Sequence, residues 1–217
     1  MATYSFPALG FDPAPGDVDA LDAVARDCLR CASDLSADAD VLKRLFEHID
    51  WQGEAADAFV PHHVHLHDDL VRASDAHGGA GTALMTYSAA LRQAKLDARR
   101  LEEDAAEARD RADHHGAEVD RLSKAMDSAP PGTVTADREF QRTNALRLQA
   151  QAHEDHQSTV ARARRLQRAH DEDADRAAAH IRALSDAPYH DPGLVARVVG
   201  DAADWVNTHA DGLRAVS

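Results

Sequence analysis

Large apolar side chains are scarce in this 217-residue chain. Aromatics make up 5% of it, with only two tryptophans, and alanine supplies most of the 44% that is hydrophobic. A compact globule of this length normally fills its core with bulkier residues. The shortage excludes such a core and fits long helices packed side by side, each burying a narrow stripe. Lysine is almost missing: Lys43, Lys95 and Lys124 are the only ones, and the other basic residues are arginines. Positive charge is in deficit overall, with a formal net charge of −14. That argues against nucleic acid, whose phosphates need a basic face, and against an anionic membrane surface. No apolar run approaches the ~20 residues that cross a bilayer, so no direct membrane insertion is expected. The start, MATYSFPALGFDPAPGD, lacks a basic head and an apolar core and does not read as a Sec signal. The chain is therefore expected to be synthesised in the cytoplasm and, if it leaves the cell, to leave by a Sec-independent route.

Cysteine is limited to Cys28 and Cys31. Their C-x-x-C spacing falls on the apolar stripe of a helix with no strand pattern nearby, and no further cysteines exist to complete a zinc site. They read as small buried hydrophobes. No nucleophile–base arrangement or convergent carboxylate pair stands out, and the GGAG at 78–81 follows no strand, so it is not a phosphate loop. The chain reads as non-enzymatic, with no cofactor.

Glycine and proline cluster, and the clusters divide the chain. Residues 1–16, with three prolines and two glycines, read as an extended lead-in. Asp17 can cap a helix, and a seven-residue spacing follows: Leu21, Cys28, Leu35, Leu42 and Ile49, with Ala25, Ala32, Ala39 and Phe46 four residues behind. Two such rows share one helix face, so 17–49 reads as one amphipathic helix about 50 Å long at 1.5 Å per residue. After DWQG the pattern restarts. Phe59, Leu66, Ala73, Ala80, Tyr87, Ala94 and Leu101 form one row; His63, Leu70, His77, Leu84, Leu91, Ala98 and Ala105 form its partner. Both keep step as far as Met126 and run straight through HGGAG at 77–81. Three helical glycines cost roughly 1 kcal/mol each relative to alanine, which predicts a weak or kinked point there. The charged run RRLEEDAAEARDRAD at 99–113 reads as a solvated face laced with i,i+4 pairs.

SAPPGTVT at 128–135 ends the second helix. A third helix is expected over about 136–185, with Val160, Ala163, Ala174, Ala177, Ile181 and Leu184 as its apolar row and a polar, loosely packed first half. After DAPYHDPG a short apolar helix containing Leu194, Val198 and Trp205 is expected. The resulting fold class is all-α: elongated antiparallel helical hairpins with a short C-terminal helix. The segments are a lead-in (1–16), a hairpin with a long second helix (17–127), a third helix forming a second hairpin (128–187) and a C-terminal helix (188–217). Counting back from the two turns brings the start of helix 1 and the end of helix 3 to the glycine cluster. The competing arrangement folds the chain at those glycines into a four-helix bundle.

PHHVHLHDD at 61–69 holds four of the fourteen histidines. His63 and His67 share a helix face at a spacing that suits two metal ligands, but two converging ligands do not make a site without another helix. They are weak metal candidates beside the plainer reading of a polar face.

An antiparallel hairpin needs a tight reversal. Gly53 can take backbone angles that other residues avoid, and Trp51 can cover the open end of the hairpin. Trp-x-Gly between two heptad-patterned helices, in an acidic chain without a Sec signal, resembles the WXG superfamily of type VII secretion substrates. It looks most like the N-terminal helical domains of actinobacterial polymorphic toxins. FDPAPGD, DWQGEAADAF with Phe59 eight residues after Trp51, and DWV at 204–206 also carry the likeness. The resemblance implies a secretion-targeting and interaction domain that docks a small WXG-type helical protein or chaperone and an FtsK-like export ATPase. Trp51 and Gly53 would be the motif residues. Phe46, Ile49, Phe59, Leu66 and Leu70 would form the packing or partner-binding seam. An effector domain would lie beyond GLRAVS. The family's Tyr-x-x-x-Asp/Glu signal is not matched, since Tyr4, Tyr87 and Tyr189 are followed four residues later by Ala8, Leu91 and Gly193. The alternatives are a coiled-coil scaffold unrelated to secretion, or a metal-binding helical protein.

Overall fold

A computed structural model describes residues 5–48, 53–130 and 135–185. Three long α-helices account for most of them: α1 (Val18–His48), α2 (Glu54–Asp127) and α3 (Ala136–Ser185). The fold is all-α, built of helical hairpins, and no strand occurs among the described residues. Asp17 caps α1: one carboxylate oxygen accepts the Asp19 and Ala20 amides at 2.9 and 3.1 Å, supplying the first turn's free donors with an acceptor. Asp137 and Glu139 fall in the first turn of α3 and Arg182 in its last, each sign suited to that end of the helix dipole. The predicted C-terminal helix, with Trp205, lies outside the described residues.

The chain divides into two compact units, Met1–Ala14 with Gln93–His170, and Pro15–Arg92 with Asp171–Ser217. These do not follow the four sequence segments, because α2 and α3 each contribute to both.

In the unit containing α1, the first half of α2 runs antiparallel to α1. Asp22 meets Ser88 and Arg92, the Ala32 carbonyl accepts from Ser74, and the Leu42 carbonyl faces His63. The two predicted rows supply most of the buried residues: Ala25, Cys28 and Ala39 from α1, and Ala73, His77, Leu84, Tyr87 and Leu91 from α2. The final turns of α3 add Ile181, which packs with Ala25, Cys28 and Leu84. Leu91 is fully buried; removing such a side chain from water contributes about 1.5–3 kcal/mol.

Helix α2 passes unbroken through Gly78–Gly81. The weak point expected there is instead a close crossing. A Cβ on Gly81 would fall 2.7 Å from Leu29 Cγ and 3.0 Å from the Ala25 carbonyl oxygen of α1, and one on Gly79 would fall 2.8 Å from Leu184 Cδ1 of α3. The missing side chains let both neighbours approach, and that packing offsets the propensity cost.

In the other unit, α2 and α3 run antiparallel, with Arg162–Asp104 at 3.1 Å, Arg111–Asp155 at 3.2 Å and Arg142–Ser123 at 2.9 Å. The seam between them is mostly alanine: Ala98, Ala105, Ala108 and Ala112 on α2, and Ala145, Ala152 and Ala163 on α3. The first half of α3 thus buries small residues, Ala145, Ala152 and Thr159, while Phe140 and Leu146 stay exposed.

The N-terminal segment also departs from expectation. It is not an extended lead-in but a folded strap. Phe6 to Gly10 make one helical turn, closed by the Gly10 amide on the Phe6 carbonyl at 2.8 Å with Gly10 at φ +83°. Ala8, Leu9, Pro13 and Ala14 are buried.

Candidate functional site

The sequence-predicted site lies at the reversing end of the α1–α2 hairpin. Helix α1 ends at His48 and α2 begins at Glu54. Trp51 and Ile49 lie outside the described residues, and so does the side chain of Phe59. Gly53 adopts φ +113° with nothing within 4 Å of a built Cβ. Its glycine is therefore required by the backbone and not by space. Behind the turn, Phe46 of α1 and His63 of α2 face each other, ring centroids 3.3 Å apart and tilted by 32°. His63 Nε2 also lies 3.4 Å from the Leu42 carbonyl oxygen. Leu70 is half-buried, but Leu66, on the predicted seam row, is 38% exposed.

His67, the other metal candidate, lies beside Asp68 with Nδ1 at 3.5 Å from a carboxylate oxygen. Among the described residues no group of three or more His, Cys, Asp or Glu is arranged to hold a metal ion. Large apolar side chains remain open near this end: Val41 and Leu45 on α1, and Val60 and Val64 on α2, are 46–53% exposed.

Further along the hairpin the contacts become polar and fixed. Ser88 is fully buried and its hydroxyl donates to Asp22; Arg92 Nη2 reaches the other carboxylate oxygen at 2.7 Å. The Ser88 hydrogen bond, helped by the Arg92 charge, holds the Asp22 carboxyl below its usual range against a smaller opposing effect of desolvation. Cys28 and Cys31 are both free thiols, and burial pushes each above its ordinary value. Thiolate reactivity is thereby suppressed. A groove of about 550 Å³ between α2 and the end of α3 is lined by Gly79, Thr82, Thr86, Tyr87, Arg176 and His180, among others. Burial, reinforced by Asp171 and Asp173, pushes the Tyr87 phenol up to about 12.

A second constellation escaped the sequence reading. Lys95, Glu102 and Arg109 recur every seven residues on α2, and His156 comes from α3. All four grip the backbone of the strap. Glu102, only 7% exposed, accepts the Ala8 amide at 2.8 Å and the Leu9 amide at 3.0 Å on its two carboxylate oxygens. Arg109 donates to the Pro7 carbonyl at 3.1 Å and Lys95 to the Ala14 carbonyl at 3.0 Å, while His156 Nε2 lies 3.0 Å from the Ala8 carbonyl. Phe6, Ala8, Leu9 and Phe11 pack on Leu101, Ala105, Val160, Ala163 and Leu166. Glu102 sits in the run that reads as a solvated face, next to a second glutamate, and nothing local marks it as the buried one. The F-P-A-L-G-F turn chemistry was the available clue.

The chain matches no family model, no curated protein and no solved structure.

Proposed function

We propose that the chain is a non-enzymatic targeting and protein-interaction domain of a type VII secreted effector. It docks a small WXG-type helical partner and presents the hairpin end to an FtsK-like export ATPase. One observation carries this reading: at the end that holds the Trp-x-Gly turn, Val41, Leu45, Val60 and Val64 stand open to solvent. Burial of large aliphatic side chains exposed near one hairpin end would favour association. The half-buried Phe46–His63 contact would hold the two helices in register. Gly53, at positive φ, supports the tight reversal that the resemblance requires.

The test is export. In a host that secretes the chain, deleting the secretion ATPase should remove it from the culture supernatant. Trp51→Ala should do the same while the purified variant keeps its helical circular dichroism. Export that persists without the ATPase would overturn the proposal and leave a scaffold unrelated to secretion. So would a Trp51→Ala variant that is folded and normally exported.

A further inference from the structure

The strap has the character of a bound peptide. Five hydrogen-bond contacts from α2 and α3 go to its main chain: two amides meet Glu102, and three carbonyls meet Arg109, His156 and Lys95. Only its apolar side chains, Phe6, Ala8, Leu9 and Phe11, meet the floor of the groove. Such a site reads a short turn and a few hydrophobic side chains, and nothing in it requires the turn to come from the same chain. The groove also has its own framework. Asp104–Arg162, Arg111–Asp155 and Ser123–Arg142 join α2 to α3 without using a strap residue. The strap stands at the start of the chain, 93 and 94 residues away from the Glu102 that binds it.

We propose that this groove is a peptide-binding site that accepts the N-terminal strap of a second copy as well as its own, so that two chains associate by exchanging straps. The ligand class is a short peptide that folds into one helical turn, with two free amides at the turn and flanking aromatic side chains. The second copy is the occupant whose fit is on view, because its strap is identical to the one already seated. In the wild-type chain the tethered strap competes at an effective concentration of about a millimolar, so exchange at micromolar protein is slight. Any change that loosens the cis strap opens the site.

Complementation tests this with full-length chains. A strap variant, Phe6→Ala with Leu9→Asp, keeps every groove residue. A groove variant, Glu102→Ala, keeps an intact strap. Each alone should be monomeric by light scattering. Their mixture should form a 1:1 complex of twice the mass, and an excess of free peptide of residues 5–14 should dissolve it. If both variants retain helical circular dichroism and no complex forms, the proposal fails; it fails equally if the complex ignores the peptide. Should either variant not fold, hydrogen exchange on the wild-type chain decides. Ala8 and Leu9 amides that exchange by local opening, while Leu101 and Ala105 stay protected, support a displaceable strap. Exchange of all four only on global unfolding would make the strap an inseparable part of the core and overturn the proposal.

Discussion

Replacing Gly78, Gly79 and Gly81 one at a time by alanine should give three different outcomes, although they sit within four residues of one helix. Each replacement gains the same local term: alanine favours a helix interior by about 1 kcal/mol over glycine. What differs is the surroundings. At Gly78 the nearest atom to the added Cβ is Ala32 Cβ at 3.8 Å, an ordinary contact. Gly78→Ala should therefore stabilise by about 1 kcal/mol, or about 2–4 °C in melting temperature for a chain of this size. At Gly79 the clash is with the tip of a leucine, Leu184 Cδ1 at 2.8 Å. That side chain can turn aside at part of the gain, so Gly79→Ala should be close to neutral. At Gly81 the added atom meets Leu29 at its branch carbon, 2.7 Å away, and the Ala25 carbonyl oxygen at 3.0 Å. A carbonyl moves only with its helix. Overpacking of this kind costs about 1–3 kcal/mol, so Gly81→Ala should be destabilising by up to about 2 kcal/mol after the propensity gain. Urea titration followed by circular dichroism at 222 nm measures all three. Equal stabilisation by the three alanines would refute the reasoning, because it would mean that α1 does not cross α2 at Gly81.

Asp22 gives a pH prediction. Its folded pKa is depressed, by Ser88 first and Arg92 with it, so its contribution is present above the unfolded value of about 3.9 and lost as pH falls below it. Asp22→Asn should lower the melting temperature at pH 7 and flatten the decline below pH 4; an unchanged acid limb would count against the Ser88–Asp22–Arg92 contact. Tyr87 works at the other extreme. Its phenol is raised to about 12, so the stability it contributes is complete below pH 10 and disappears as pH climbs from about 10 to 12. Absorbance at 295 nm should show one tyrosine ionising late, and Tyr87→Phe should remove that component. Glu102→Ala leaves the Ala8 and Leu9 amides without their acceptor, a loss of about 1–3 kcal/mol for each buried donor. The strap can escape that cost by undocking into water, so the expected readout is faster proteolysis within residues 5–14 with the melting of α2 and α3 little changed.

Much of the hairpin architecture was legible in the linear pattern. The rows through Ala73, Tyr87, Leu101 and through His77, Leu84, Leu91, Ala105 are buried as their period requires. Their unbroken step through Gly78–Gly81 anticipated one helix, and counting back from the turns brought the start of helix 1 and the end of helix 3 to the glycines. Gly53 takes a positive φ, a conformation expected of it, while Trp51 lies outside the described residues. The strap was not legible, since its docking depends on residues 80 to 150 positions away. Glu102 was read as solvated because its neighbours in the run are, and Ala145 and Ala152 were passed over because the residues around them are polar.

The division has a physical basis. Helix extent, face and direction of reversal follow from local propensity and from the spacing of apolar residues along one turn after another, and both are properties of neighbouring positions. Which glycine faces a carbonyl and which a flexible leucine depends on where a second helix lies to within a few tenths of an ångström. Whether a carboxylate is solvated or buried depends on what covers it. In this chain the cover for Glu102 is a ten-residue strap from the start of the sequence, held through main-chain groups that every residue possesses and that no sequence pattern can single out.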